Sequence, residues 1–337
     1  MATSRPRDPL ETTSTSRAPT SPMRITLATG RPVRLELNRE EEFVSSRTRH
    51  PQTIIYKTGV NKDGKLVSQK MTVIGNTGPY GTHGLTVQTV TGLRGLSTYN
   101  CPNKEFDCRV VYTNIPVPGA YRGYGAPQGC FSLECHIDEV AAELGMDRLE
   151  LRRKNHIRLG DTDPLSAKLG EGKEGLVRVV HSTGLEKAIE LGCEAIGWGQ
   201  KKEPSAPHLK RGLGMALAMQ GSGIPAIDMA AATLKLNDFG SFNLLIGATD
   251  LGTGSDTILA QIAAEELGVP LDHVSVVNDD TEVTPWDVGV HASRTTFIAV
   301  NSALLAARKA REKLLAAAAA KMGVDPATLD IRRRQVV

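Results

Sequence analysis

The chain has 337 residues and a nearly balanced charge, with 40 lysines and arginines against 37 aspartates and glutamates and a formal net charge of +3. So slight a basic excess argues against a nucleic-acid-binding protein, which needs a clustered basic surface. No apolar run approaches the roughly 20 residues that span a bilayer, so we expect no membrane partner either. The length allows two domains with buried cores.

The cysteines exclude two further kinds of site. There are five, an odd number without a Cys-x-x-Cys pair, so neither a zinc site nor a disulfide framework is indicated. Buried thiols in a reducing compartment are the simplest interpretation. We therefore expect a soluble, cytoplasmic protein whose own side chains hold no metal.

Composition divides the chain into four parts. Residues 1–22 are rich in Ser, Thr, Pro, Ala and Arg without apolar periodicity, which predicts a disordered segment. A polar, proline-containing stretch near residue 205 marks a boundary before the second half. We place a first domain at 23–160, a connector with one helix at 161–210 and a second domain at 211–337.

Strands dominate the first domain. Alternating apolar residues predict them, and the turn signal at 61–64 joins two as a hairpin. The predicted strands are 33–37, 52–59, 65–76 and 106–113, and the segment 80–97 ends in a helix. An acidic run at 40–42 indicates another helix start.

The loop at residues 119–128 is the most informative stretch. It holds three glycines, two aromatic residues and one arginine, and Pro127 suits the first position of a helix. Apolar residues at three and four spacing then predict a helix that ends at Gly145. Free amides at the helix start would favour an anionic ligand. The alternative is a turn that merely permits close packing.

The second domain opens with predicted strands and closes with helices. Strands are predicted at 211–220, 228–236, 242–246 and 274–277, a helix with Gly268 as its C-cap follows residue 255, and an Ala-rich helix covers 297–322. Strands and helices are segregated rather than strictly alternating. This pattern favours an α+β fold.

Two more small-residue loops precede helices, at 249–255 and 288–296. The first has neither the spacing of a dinucleotide fingerprint nor the lysine of a P-loop, yet its amides could cradle a phosphate or a pterin. Each could instead be a capped helix after a tight turn. A single large, anionic ligand would explain all three loops together. Hydrolase chemistry has no support, because the Gly-x-Ser-x-Gly motif is absent.

The sequence also carries a resemblance. Residues 121–128, Tyr-Arg-Gly-Tyr-Gly-Ala-Pro-Gln, resemble the signature of the molybdenum hydroxylase large subunits, the xanthine dehydrogenase and aldehyde oxidase family. Further patches at 29–34, 39–42, 151–155, 250–254 and 292–295 are similar to that family. The resemblance extends from about residue 24 to 320 and implies two mixed αβ molybdopterin-binding domains, each only partly present.

The resemblance assigns roles to residues of the three loops. It places Arg122 and Tyr124 at a substrate pocket, with Tyr124 as the aromatic residue that packs on the substrate. It assigns cofactor binding to Gly123, Gly125, Gly252, Thr253, Gly254, Ser255, Ala292, Ser293, Arg294 and Thr295. The implied cofactor is molybdenum with molybdopterin in its cytosine dinucleotide form, which supplies the chemistry.

The implied activity is oxidation of an aromatic heterocycle, such as a purine, or of an aldehyde, with water as the oxygen source. Iron-sulfur and FAD partner subunits would accept the electrons. The remainder of the large subunit would be a further partner.

Two motifs of the family have no counterpart here: its Gly-Gly-Phe-Gly-Gly loop and the Gly-x-Gly-Glu motif with the glutamate base. We therefore name no catalytic residue and expect the isolated chain, truncated at both ends, to be inactive. The alternative is a non-catalytic remnant or scaffold that keeps part of the fold without cofactor.

Overall fold

The computed structural model describes residues 20–169, 177–200, 204–224 and 228–337. The chain divides into two compact units, of which unit 1 ends at Gln220 and unit 2 begins at Gly221. Of the segment predicted to be disordered, residues 1–19 lie outside the described residues, and a helix begins at Thr20. None of the described helices is both long and apolar enough to cross a membrane.

Unit 1 is built around a three-stranded sheet in the order β1-β2-β3. Its strands are β1 (Gln52–Val60), β2 (Leu66–Asn76), β3 (Asn103–Val111) and the two-residue pair β4 (Thr162–Asp163) and β5 (Arg178–Val179). Its helices are α1 (Thr20–Thr29), α2 (Arg39–Ser45), α3 (Gly84–Ser97), α4 (Ala126–Leu144), α5 (Arg148–Asn155), α6 (Ser166–Leu169) and α7 (Leu185–Ile196).

The connections explain how α3 comes to lie beside this sheet. A tight turn joins β1 and β2 as an antiparallel hairpin, whereas β2 and β3 are parallel. Parallel neighbours need a crossover connection, and α3 provides it. Residues of β2 such as Met71 and Val73 are fully buried, because alternate residues of a strand share one face. Helix α4 then packs on α3.

Unit 2 repeats this order on a smaller scale. Its strands are β6 (Ala232–Leu236), β7 (Phe242–Ile246), β8 (Val274–Val277), β9 (Ile331–Arg332) and β10 (Gln335–Val336), and its helices are α8 (Ser255–Leu267) and α9 (Val300–Met322). Strands β6 and β7 form a hairpin, α8 crosses over, and β8 pairs parallel to β7. Both units therefore combine an antiparallel pair, a crossover helix and a parallel third strand. The predicted α+β fold is confirmed.

Small residues set the packing in unit 2. The buried face of α8 consists of Leu259, Ala260, Ala263, Ala264 and Leu267, against which α9 packs. Ile258 of the same helix is 38% exposed. Alanines on the inner face allow α8 and α9 to approach closely.

Two predicted strands are wrong. Residues 33–37 and 211–220 belong to no strand. The second segment is nevertheless held in unit 1, because the backbone N–H of Leu217 donates to Glu134 on α4 at 2.8 Å. The boundary that we predicted after residue 210 lies inside unit 1 in this division of the chain.

Candidate functional site

Strained backbone marks two of the three predicted loops. Among the described residues, five that are not glycine have positive φ, and three of these are Tyr124 (44°), Ala292 (49°) and Ser293 (52°). Left-handed conformation is unfavourable for residues with a Cβ and tends to occur where function requires a particular shape. Residues that the sequence selected for their resemblance to a cofactor site therefore also stand out in backbone conformation.

The first loop, at 119–128, turns through three consecutive left-handed residues. Gly123 and Gly125 flank Tyr124 with φ of 93° and 89°. A Cβ on Gly125 would lie 2.3 Å from the backbone oxygen of Val87, so only glycine lets the loop approach α3 so closely. Pro127 is the second residue of α4, not the first, because the helix starts at Ala126. The loop thus leads directly into a helix N-terminus.

The two predicted substrate-pocket residues lie in this loop with different surroundings. The Arg122 side chain is exposed, and its backbone oxygen accepts a hydrogen bond from Arg49 Nη2 at 2.6 Å. Tyr124 is half-buried, and its hydroxyl is hydrogen-bonded to His83 Nδ1 at the start of α3. The two rings meet edge to face with centroids 5.3 Å apart. His83 therefore fixes the direction of the Tyr124 ring.

Positive charge gathers around the first loop. The guanidinium of Arg49 also lies 4.7 Å from the ring centre of Tyr121, a cation–π contact. Burial and then the charge of Arg47 lower the pKa of His83. Burial, followed by the charges of His83 and Arg47, lowers the pKa of His50 to about 4. These histidines are neutral near pH 7, so the arginines provide the charge that an anionic ligand would meet.

The second loop, at 249–255, is organised by a carboxylate to which our prediction gave no role. Asp250 Oδ1 accepts the backbone N–H groups of Gly252 and Thr253, both at 2.7 Å, and that of Gly254 at 3.3 Å. Asp250 Oδ2 accepts that of Asp256 at 3.3 Å. Burial opposes the charge, but these backbone bonds outweigh it and lower the pKa of Asp250. The backbone N–H groups that we expected to bind an anionic ligand therefore already donate to the Asp250 carboxylate.

The open side of the second loop is lined by glycine. Gly252 and Gly254 have φ of 86° and 77°, and a Cβ on either would find no atom within 4 Å. Thr253 keeps its hydroxyl close to Ser255 Oγ, at 3.5 Å, and Ser255 is itself buried at the start of α8. The space over the two glycines can therefore admit the flat face of a ligand.

The third loop, at 288–296, leads into a π-helical turn, Thr295–Ala299, that continues as α9. Ala292 is partly buried and Ser293 is exposed, whereas the Arg294 side chain is fully buried. Its guanidinium donates to Asp287 Oδ1 at 2.7 Å and to the backbone oxygen of Gly289 at 3.2 Å. Arg294 therefore directs its charge to the interior, away from any ligand in this conformation.

The second and third loops share a border within unit 2. Asp287, the partner of Arg294, lies against Gly247 at the end of β7, where a Cβ would come within 2.7 Å of the Asp287 Cβ. The chain runs from Gly247 directly into the second loop, and α8 contacts the π-helical turn. The structure thus brings Gly252–Ser255 and Ala292–Thr295 to one region of unit 2, whereas the first loop belongs to unit 1.

Three residues that organise these loops were given no role in the sequence analysis: His83, Asp250 and Asp287. For Asp250 a signal existed, because an aspartate two residues before a Gly-x-Gly commonly accepts amides in an Asx turn. His83 is distant in sequence from Tyr124, and Asp287 gives no local signal. Only folding reveals them as partners.

Each unit has features that suit a planar ligand with anionic groups. In unit 1 the first loop carries the half-buried ring of Tyr124 and the exposed Arg122 at the start of α4. In unit 2 the second loop has open space over Gly252 and Gly254 at the start of α8. The donors of the second loop are already bound to Asp250, so at that loop we expect contacts through the Thr253 hydroxyl and through shape. With that restriction, the residues present fit a pterin-containing cofactor.

Comparison with known proteins agrees with this fit. Residues 20–156 and 192–337 each match a family described as "Molybdopterin cofactor-binding domain". A protein named "Probable hypoxanthine oxidase XdhD" from Escherichia coli is 39% identical over 313 residues, which are 93% of this chain and 33% of that protein. A xanthine dehydrogenase molybdenum-binding subunit from the same species is 35% identical over 91% of this chain and 40% of that protein.

A solved structure shares the fold. The aldehyde oxidoreductase of Desulfovibrio gigas superposes with a TM-score of 0.72 at 30% identity, over 85% of this chain and 31% of that one. The chain spans about a third of the length of the first relatives it matches. It consists of two molybdopterin cofactor-binding domains and belongs to the family of the xanthine dehydrogenase and aldehyde oxidoreductase molybdenum subunits.

Proposed function

We propose that this chain is the molybdenum-cofactor-binding portion of a hydroxylase that oxidises an aromatic heterocycle, purine-like, or an aldehyde. The observation that carries the proposal is the coincidence of unusual left-handed backbone with loops that match the family, at Tyr124 and at Ala292–Ser293. The matched relatives include proteins named for hypoxanthine, xanthine and aldehyde substrates. When bound, the cofactor supplies the oxidation of substrate with water as the oxygen source.

The chain's own contribution is to bind and orient. The ring of Tyr124, held by its hydrogen bond to His83, offers a flat face on which a planar substrate can stack. Arg122, two residues earlier in the same loop, is exposed, and its guanidinium is suited to a carbonyl or anionic oxygen of the substrate. In unit 2, the loops at 252–255 and 292–295 hold the pterin and its dinucleotide tail. We assign no general base to a residue of this chain.

We further propose the cytosine dinucleotide form of the cofactor, with electrons leaving to iron-sulfur and FAD partner subunits in the cytoplasm. Five free cysteines, none of them paired in a disulfide, support a reducing compartment. Mild acid treatment of the purified protein tests the nucleotide, because the cytosine form releases CMP. Release of another nucleotide would contradict this form while leaving pterin binding intact.

The main experiment measures molybdenum and pterin in the purified chain, alone and co-expressed with the products of neighbouring genes. Molybdenum can be counted by mass spectrometry and the pterin by the fluorescence of its oxidised derivative. We expect both at a substantial fraction of one per chain in the co-expressed preparation. Trace amounts in both preparations would contradict the proposal and favour a scaffold without cofactor.

A further inference from the structure

Arg294 is the fully buried arginine of the third loop, and its surroundings indicate a different role from the cofactor contact that the family resemblance assigns to it. We infer that Arg294 is a positioning residue: it holds the left-handed backbone of Ala292 and Ser293 from the protein interior and does not touch the ligand. The inference rests on the proposed cofactor role of this loop, because positioning matters only if the loop receives a ligand.

The position of the guanidinium is the first argument. Arg294 has no solvent exposure, and neither of the two aspartates beside it is more than 2% exposed in its side chain. Its Nη1 lies 2.7 Å from Asp287 Oδ1, and its Nε lies 3.8 Å from Asp228 Oδ1. Asp228 also lies 3.4 Å from His291 Nε2, whereas Arg294 is the ion-pair partner shown for Asp287 among the described residues. If the guanidinium turned outward, the buried carboxylate of Asp287 would lose that partner.

The contacts of Arg294 join separate segments, which is the second argument. Nη1 also donates to the backbone oxygen of Gly289, and Nη2 donates to that of Met229 at 2.5 Å. Asp287 in turn accepts the N–H of Gly289 at 2.8 Å. The guanidinium thus fastens the start of the third loop to a segment near residue 229. Lysine, with one nitrogen, cannot reproduce this forked set of bonds.

The backbone that Arg294 supports is the third argument. Ala292 and Ser293 are both left-handed, a conformation that residues with a Cβ adopt only when their surroundings impose it. Two restraints bracket the pair: the carbonyl of Ala292 accepts the N–H of Gly223 at 2.8 Å, and Arg294 follows directly. The π-helical turn begins immediately afterward, another irregularity that needs support. Removing the guanidinium should let the pair relax.

The experiment compares Arg294→Lys and Arg294→Met with Arg308→Lys, an exposed arginine of α9 that serves as the matched control. Amide hydrogen exchange of peptides covering 288–296 reports the loop, peptides from α9 report the fold, and pterin content reports the ligand. For both Arg294 variants we expect exchange in 288–296 to rise roughly tenfold and pterin content to fall roughly tenfold. Arg308→Lys should change neither.

A rescue separates positioning from direct contact. Ala292→Gly added to Arg294→Lys should restore much of the pterin, because glycine adopts the left-handed conformation without support. Unchanged amide exchange of peptides 288–296 in both Arg294 variants would overturn the inference. If pterin is lost while that exchange is unchanged, or if Ala292→Gly does not restore the pterin, Arg294 contacts the ligand directly and the inference is likewise wrong. If the wild-type chain holds no pterin, the proposed function fails, and exchange in 288–296 alone still decides whether Arg294 holds the loop.

Discussion

Arg152 and Glu134 form a buried ion pair in unit 1: Arg152 Nε donates to Glu134 Oε2 at 2.9 Å, and Arg152 is wholly buried. Glu134 also accepts the Tyr99 hydroxyl at 2.6 Å and the N–H of Leu217 at 2.8 Å. One carboxylate therefore joins α4, α5 and the extended segment that precedes unit 2. Buried charges of this kind are stable only when every partner is present.

Glu134→Gln should destabilise unit 1 strongly. The substitution leaves the Arg152 charge without its more deeply buried carboxylate partner, and breaking a buried pair costs about 3–5 kcal/mol. Urea unfolding measures the loss. The control is Asp138→Asn. Asp138 Oδ1 lies 2.7 Å from Arg152 Nη1, but the Asp138 side chain is 29% exposed. We expect the control to cost less than half as much. Equal losses would show that the buried carboxylate has no special role.

The two left-handed glycines that bracket α4 should respond differently to alanine. Gly145→Ala places a Cβ in open space, so only the backbone conformation opposes it, at about 1–2 kcal/mol. Gly125→Ala adds a clash with the backbone oxygen of Val87 and should cost at least about 3 kcal/mol. Thermal unfolding of both variants provides the comparison. Similar losses at the two positions would contradict the close approach of the first loop to α3.

Asp250→Asn should loosen the second loop without unfolding unit 2. The amide can accept hydrogen bonds through one oxygen only and carries no charge, so the N–H groups of Gly252, Thr253 and Gly254 lose their strong acceptor. Faster amide exchange confined to peptides spanning 250–256 is the expected result. Asp279→Asn, an exposed neighbour, serves as the control and should leave the exchange unchanged. Indistinguishable exchange in the two variants would refute this account of the loop.

His50 should make stability depend on pH below neutrality. Its pKa falls from 6.5 to about 4 in the folded chain, so between these values the unfolded state binds a proton that the folded state does not. Acidification from pH 6.5 to 4 should therefore remove up to about 3 kcal/mol of stability through this group. The difference in unfolding free energy between wild type and His50→Gln isolates the effect, since the carboxylates titrate in both. Parallel pH curves would contradict it.

Sequence reasoning succeeded where the signals are local. Helix α4 ends at its predicted cap, Gly145, and α8 at Gly268, because periodicity and a left-handed glycine define a helix end within a few residues. The alternating segment 211–220 illustrates the opposite case. Its pattern is that of a strand and Leu217 is buried, yet it packs through Glu134 on α4 and pairs with no strand. Strand pairing depends on distant residues that the local pattern does not contain.

In the candidate site, too, local features could be predicted from the sequence and contacts set by folding could not. Glycine loops before helices could be located from the sequence, because glycine and small residues are visible locally. That Asp250 occupies the amides of its own loop, and that Arg294 points inward to Asp287, depend on side-chain directions set by folding. The sequence could therefore find the loops but not divide their residues between ligand contact and support.

The most direct test of cofactor binding places a charge over the second loop. Gly252 is left-handed with open space beyond it, and among side chains Asn and Asp tolerate this conformation best, so Gly252→Asp and Gly252→Asn should fold alike. Pterin content per chain is measured in wild type and both variants, purified identically. If an anionic pterin cofactor lies over Gly252, both side chains take up part of its space and lower the pterin content. The aspartate variant should then hold about tenfold less pterin than the asparagine variant, because its charge repels the anion. Equal pterin content in all three proteins would contradict a cofactor at this loop.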